Sequence, residues 1–344
     1  MNRCFDKEKK AAIRAVTIAS RLCTKVRSVL VEGSTMVKKD RSPVTIADYG
    51  SQAVICRVLR DTFPNDPIVA EEDSRELNKA ENQSILEEVV RRVQDAFPDA
   101  SPRQVCCWID WGREENAERF WTLDPIDGTK GFLRGDQYAI ALALIEGGVV
   151  QLGVLGCPNL PLGIHSSQEA GGALFVAIKG RGTVQSDLDA LRQVPIRVSA
   201  IATPAQARVT ESFESGHSDH ISHEEIARYL NVSAPPLRMD SQAKYAVLAR
   251  GEASIYLRLP SPETPDYREK IWDHAAGSIV IEEAGGRVTD AFGKTLDFSQ
   301  GRRLEGNRGI VATNGQLHDA VLEAVAVELG TEMQDRGTRK KDQG

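Results

Sequence analysis

Apolar residues at helical spacing open the chain. Ile13, Val16, Cys23, Val26 and Leu30 recur on one face, which predicts an amphipathic helix over residues 6–31. A loop with Gly33 and the basic pair Lys38–Lys39 leads to a second helix expected from Val44 to Phe63, with Ile46, Ala53 and Leu59 inward and Pro64 as its stop. The apolar run Pro67–Ala70 reads as a short buried strand ending at Glu71-Glu72-Asp73. Residues 75–105 are polar and helix-prone and read as a surface insertion. Strand character returns at Phe120–Leu123 and stops at Asp124. Two hairpins follow, Tyr138–Ile145 with Val149–Leu155 through Gly147-Gly148, and Ala173–Ile178 with Thr183–Gln185 through Lys179–Gly182.

The second half mixes elements differently. Strands are expected at Arg197–Ala200, Ser254–Leu259, Arg287–Thr289 and Gly309–Thr313, and helices at Ser222–Leu230, Ile271–Ala284 and Leu317–Leu329. Sheets covered by helices imply a layered α/β fold. Residues 1–192 form an N-terminal part with an antiparallel sheet, residues 193–330 a C-terminal α/β part, and residues 331–344 a polar tail expected to be disordered.

Charge narrows the partners. The 344 residues carry 43 basic and 49 acidic side chains, a net charge of −6, which argues against a nucleic-acid polymer because duplex binding needs a basic footprint. A small anion can still be held by a few local cations. No apolar run approaches the roughly 18 residues of a membrane span. The charged start, Met1 to Lys10, lacks a signal-peptide core. A cytoplasmic monomer with reduced, mostly buried thiols is the expectation; the six cysteines show no metal-binding spacing.

The chemistry concentrates in acids at strand ends. Asp124 and Asp127 flank Pro125-Ile126 after an apolar strand, and Gly128 permits a tight turn toward Thr129. Two rigid carboxylates facing one point suit a hard divalent cation such as magnesium. Glu71 also follows a buried strand, at the strand end where open α/β sheets place ligands. Asp273 begins a helix whose neighbours Ala275, Ala276 and Gly277 are small. Asp273 and Asp48 each have a plainer reading as helix caps, and acids at large are most often solvated surface. It is their combination that points to a site.

Trp121–Thr129 (W-x-x-D-P-I-D-G-T), Trp272–Gly286 (W-D-x-x-A-G, then E-A-G-G) and Glu71-Glu72 together resemble the lithium-sensitive inositol monophosphatase superfamily of metal-dependent phosphatases, in order and over nearly the whole chain. Further segments resemble the nucleotide-hydrolysing branch of that superfamily in its fungal and plant forms: Ser42–Tyr49, Gly128–Gly135, Gly156–Asn159, Glu214–His220, Asp240–Tyr245 and Tyr256–Pro260. The resemblance implies a layered α/β/α/β/α sandwich of the inositol monophosphatase and fructose bisphosphatase type. It also implies two or three Mg²⁺ ions held by Glu71, Asp124, Asp127, Asp273 and the Ile126 carbonyl. Asp48 and Thr129 match the pair that positions the attacking water, and Asp124 the bridging ligand. His217, Ser241, Lys244 and Arg258, with Thr129 and Asp273, match the positions that hold the nucleotide. One departure is Ala70, where relatives often carry glycine; it adds only a methyl group.

The implied reaction is hydrolysis of the 3′-phosphate of adenosine 3′,5′-bisphosphate to AMP and phosphate by in-line attack of water, without a covalent phospho-enzyme. 3′-Phosphoadenosine 5′-phosphosulfate is a second implied substrate, which ties the activity to sulfate assimilation, and Li⁺ and Na⁺ are implied inhibitors. Two alternatives stay open: an inositol monophosphatase or inositol polyphosphate 1-phosphatase using the same acids, and a non-catalytic nucleotide sensor. The segment from His217 to Arg258 favours the nucleotide.

Overall fold

A computed structural model describes residues 5–28, 35–37, 43–115, 117–163, 171–213, 220–260, 264 and 266–339. Helix α1 (Asp6–Ser28) and helix α2 (Ile46–Thr62) lie against each other, with the two-stranded ribbon β1 (Thr35–Val37) and β2 (Pro43–Thr45) between them in the chain. Strand β3 (Ile68–Ala70) follows. The stretch expected to be a surface insertion then folds instead into α3 (Gln83–Gln94) and α4 (Pro102–Asp110), both packed on α2. Leu86, Val89, Val90 and Val93 share one face of α3 and are buried, as are Val105, Trp108 and Ile109 of α4. The many charges on the opposite face hid this apolar stripe in the overall composition. Ser101 starts α4 through a capping box with Gln104.

The long strands build one seven-stranded sheet: β3, β4 (Arg119–Asp127), β5 (Ala139–Glu146), β6 (Val149–Cys157), β7 (Ala173–Ile178), β8 (Thr183–Asp187) and β9 (Val194–Ile196), adjacent in that order. Only β3 and β4 run parallel; the rest are antiparallel, including both hairpins read from the sequence. The strand expected at Arg197–Ala200 is thus displaced to β9, on the edge of this first sheet.

A second sheet of five strands combines β10 (Val209–Glu211), β11 (Leu237–Arg238), β12 (Ile255–Arg258), β13 (Arg287–Thr289) and β14 (Ile310–Thr313) in the order β11-β10-β12-β14-β13. Helices α7 (Ala243–Ala249) and α8 (Ala275–Glu283) lie between the two sheets, and their buried residues share one core with both. Helix α6 (His220–Tyr229) and α9 (His318–Arg339) cover the outer face of the second sheet. Helix α9 runs into the segment read from composition as a disordered tail. The result is five layers, helix on sheet on helix on sheet on helix, as the sequence implied.

The helix expected over Ile271–Ala284 is broken. A 3-10 turn, Ile271–Asp273, precedes α8, and His274 between them is non-helical at φ −135° and ψ −27°. Asp273 consequently is not the cap of α8. The break lets α8 sit directly on β6, where Gly153 leaves the necessary gap: a Cβ there would stand 2.5 Å from Ile279 Cγ2 and 2.8 Å from the Ala276 carbonyl. Gly153→Ala is expected to cost about 1–3 kcal/mol by overpacking, read as a lower midpoint in chemical unfolding; an unchanged midpoint would show that α8 shifts freely.

Candidate active site

Register brings the first acids together. Ala70 on β3 pairs with Leu123 on β4, so Glu71 and Asp124 leave the sheet side by side. Strand β4 continues through Pro125 to Asp127, with a register shift between Asp124 and Asp127 opposite β5. The bulge frees the Pro125 carbonyl to accept from Ser51 Oγ at 2.9 Å and the Ile126 carbonyl to accept from Thr129 Oγ1 at 3.2 Å. Gly128 then turns at φ +85°, and a Cβ there would come within 2.9 Å of Ser241 Cβ. Glycine is required here for both conformation and approach. Ser241 itself stands at φ +69°, a strained position for a residue with a side chain.

Glu71, Asp124, Ile126, Asp127, Thr129, Ser241, Lys244, Arg258 and Asp273 all line one cavity of about 660 Å³. Asp48, buried on the first turn of α2, stands behind that wall, close enough for its charge to act on Asp124. His217 lies outside the described residues. Ala70 is fully buried, and its methyl fits because Gly112 beside it has no side chain; a Cβ on Gly112 would sit 2.6 Å from that methyl.

The electrostatics of the acids are unfavourable as they stand. Burial first, then the charges of Glu71, Asp127, Asp273 and Asp48, push the Asp124 carboxyl well above the usual range. Asp273 is raised by burial, against the pull of Arg258. Asp127 is raised by burial too, although Lys244 and the Gln242 N–H, which donates to Asp127 Oδ2 at 2.6 Å, oppose the rise. Asp124 Oδ1 is buried and has no hydrogen-bond partner. Carboxylates that repel one another around a buried Asp124 fit a group of hard cations, since oxygen ligands of this kind suit magnesium. Burying charge without a partner is otherwise costly.

Among the described residues, the tightest gathering of potential metal-ligating atoms is a different one, Glu269, Asp273 and His274, all within 4.8 Å. Two of its members, Glu269 and His274, are already engaged. Glu269 Oε2 lies 2.8 Å from Arg258 Nε and 3.2 Å from His274 Nε2, and His274 Nδ1 lies 2.8 Å from the Tyr245 hydroxyl. Burial opposes the Glu269 charge, but Arg258 and His274 outweigh it and hold that carboxyl down at about 2. This network orients Arg258 and the turn bearing Asp273.

Several site residues escaped the sequence reading. Gln52 accepts from the Glu72 N–H at 3.0 Å and donates to the carbonyls of Glu72 and Ile109, fixing the loop after Glu71. Gln242 donates to the Trp272 carbonyl at 2.9 Å and accepts from the Gly277 N–H at 2.9 Å, so one residue ties Asp127 to the Asp273 turn. Arg302 donates to the Ala70 carbonyl and stacks on Trp272 at 4.7 Å. A polar residue inside an apolar run hinted at Gln52, and Gln242 lay within the segment Asp240–Tyr245 without being singled out; Arg302 gave no local signal.

A five-layer fold with a carboxylate-lined cavity at its strand ends defines the class. Residues 3–329 match the model of the inositol monophosphatase family, and the chain belongs to that family. Relatives named 3′(2′),5′-bisphosphate nucleotidase come from Oryza sativa, 48% identical with 93% of this chain and 94% of the relative covered, and from Schizosaccharomyces pombe, 44% identical with 94% and 96% covered. The fold matches an IMPase of Thermotoga maritima at 22% identity and TM-score 0.63, covering 93% of this chain and 96% of the other. No helix among the described residues is long and apolar enough to cross a membrane.

Carboxyls raised in the folded state bind protons more tightly there than in the unfolded chain. Their contribution is therefore full below about pH 4 and is lost as pH rises through the folded values. Glu269 acts oppositely, losing its contribution as pH falls toward about 2, so the two effects separate above about pH 5. The metal-free protein is expected to lose thermal stability from pH 5 to 8 more steeply than Asp124→Asn, and magnesium to restore the wild-type loss. Scanning calorimetry in chelator and in Mg²⁺ checks this; equal slopes for both proteins would show that the acids do not repel.

Proposed function

We propose that this chain is a magnesium-dependent phosphatase that hydrolyses adenosine 3′,5′-bisphosphate to AMP and phosphate, with 3′-phosphoadenosine 5′-phosphosulfate as a second substrate. The observation that carries it is that one cavity is lined both by four acids, Glu71, Asp124, Asp127 and Asp273, and by the cations Lys244 and Arg258. Relatives at 43–48% identity over about the whole chain, named bisphosphate nucleotidases, support the choice of substrate.

Glu71, Asp124, Asp127, Asp273 and the Ile126 carbonyl would hold the magnesium ions. When bound, the ions neutralise phosphoryl oxygens, acidify a water and stabilise the leaving alkoxide. The rest is work for side chains of this protein. Thr129, its hydroxyl donating to Ile126 O at 3.2 Å, keeps its oxygen available to orient the attacking water. Asp48 takes a proton from that water. The water oxygen bonds to phosphorus as the bond to the 3′-oxygen breaks; the 3′-oxygen takes a proton from solvent to end as a hydroxyl, and Asp48 returns its proton to solvent.

Lys244 and Arg258 hold the nucleotide's other anionic group, with Ser241 and His217 completing the contact. Lys244 Nζ donates to Ser212 Oγ at 2.9 Å and lies over the Tyr256 ring. Its burial lowers it to about 8, against the pull of Asp127. A lysine held this way keeps its direction toward the cavity while shedding little entropy on binding.

A panel of nucleotide and inositol phosphates with Mg²⁺, with and without Li⁺, tests the reading. Adenosine 3′,5′-bisphosphate is expected to be preferred and millimolar Li⁺ to inhibit; preference for an inositol ester, or turnover indifferent to Li⁺, would overturn it. Asp124→Asn is expected to lower turnover on the order of a thousandfold, corresponding to about 4 kcal/mol of transition-state stabilisation. Unchanged turnover would place the reaction elsewhere.

A further inference from the structure

Beyond Lys244 and Arg258, four more cations line the cavity, Lys130, Lys270, Arg302 and Arg303, and the last three sit together. Lys270, Arg302 and Arg303 line the same cavity as the acids and are partly buried. Among the described residues none of them pairs with a carboxylate at salt-bridge distance. Arg302 spends one N–H on the Ala70 carbonyl, and Arg303 donates one to the Arg268 carbonyl at 3.1 Å. Among the described residues, the remaining guanidinium donors and the Lys270 ammonium have no protein hydrogen-bond acceptor. By contrast Arg258 is matched by Glu269 at 2.8 Å.

The trio is fixed in place. Lys270 pairs with Arg303 in an antiparallel bridge, the Ile271 N–H donates to the Arg302 carbonyl at 3.2 Å, and the Leu304 N–H donates to the Glu269 carbonyl at 2.9 Å. Trp272 lies under both Lys270 Nζ, 5.2 Å from the ring, and Arg302, at 4.7 Å. These charges repel one another: burial first, then Arg303 and Arg302, lowers Lys270 below the ordinary lysine range. The acids whose charge acts on Lys270 are Asp273 and Glu71, both assigned above to cations, and those acting on Arg302 are Glu71 and Asp73, the latter already paired with Arg75 at 2.5 Å. Like charges held rigidly on a cavity wall at such cost need an anionic occupant.

We infer that Lys270, Arg302 and Arg303 form a second oxyanion subsite beside the acids, which holds a phosphate group during the catalytic cycle. The occupant is either the substrate's uncleaved phosphate, shared with Lys244 and Arg258, or the inorganic phosphate leaving the acids, and the chemistry of recognition is the same. The inference rests on the phosphatase reading for its biological role, but the subsite itself is testable without turnover.

Lys270→Gln and Arg303→Gln are the variants of choice, because Arg302 also braces Ala70. Calorimetric titration of inorganic phosphate into the metal-free protein avoids the cation site, where bare carboxylates repel the anion. Each variant is expected to weaken phosphate binding about tenfold, the scale of one lost charged contact, and Arg303→Lys to stay within threefold of wild type. Kinetics with magnesium then distinguish the sources. A rise in KM for adenosine 3′,5′-bisphosphate relative to adenosine 3′-monophosphate assigns the subsite to the uncleaved phosphate. A rise in the inhibition constant of inorganic phosphate alone assigns it to the product. Phosphate binding and both kinetic quantities within twofold of wild type in both folded variants would overturn the inference. A wild type that binds phosphate through these residues yet hydrolyses neither nucleotide would refute the substrate assignment and leave the subsite standing.

Discussion

Mutual repulsion among carboxylates gathered at one cavity is the constraint on which this molecule depends. Asp124, Asp127, Asp273 and Glu71 are drawn into one cavity by backbone geometry, and burial together with their shared charge pushes three of them away from ionisation. Nothing in a low-dielectric interior rewards such an arrangement on its own. Its cost is borne by the five-layer scaffold, and cations are the occupants that turn the cost into binding energy.

Most of the scaffold near the site can be understood as holding those acids in place. The parallel pairing of β3 with β4 sets Glu71 beside Asp124, and the break before α8 frees Asp273 from a helix-capping role. Gln242, Gln52 and Arg302 then stitch the separate segments through buried hydrogen bonds. The Glu269–Arg258–His274–Tyr245 network does the same for the opposite wall. A site of this kind needs rigid support because like charges would otherwise drift apart.

How much was legible in the sequence follows from the range of each interaction. The acids at the ends of β3 and β4 were visible because an apolar run followed by a carboxylate is a local pattern. The hairpins were visible through Gly147-Gly148 and Lys179–Gly182 for the same reason. The core role of α3 was not, since its apolar stripe is diluted by Glu and Arg on the other face. Arg302 was invisible because its partner, the Ala70 carbonyl, lies 232 positions away. Gln242 and Lys270 were likewise ordinary polar residues until folding placed them. Asp273 was identified by motif, but its 3-10 turn depends on how α8 meets Gly153 on β6.

Diffraction from crystals soaked in Mn²⁺, a magnesium substitute with a strong anomalous signal, tests the central claim most directly. The account predicts anomalous peaks coordinated by Glu71, Asp124, Asp127, the Ile126 carbonyl and Asp273. Manganese seated instead on Glu269 and His274, or absent from the cavity altogether, would contradict it.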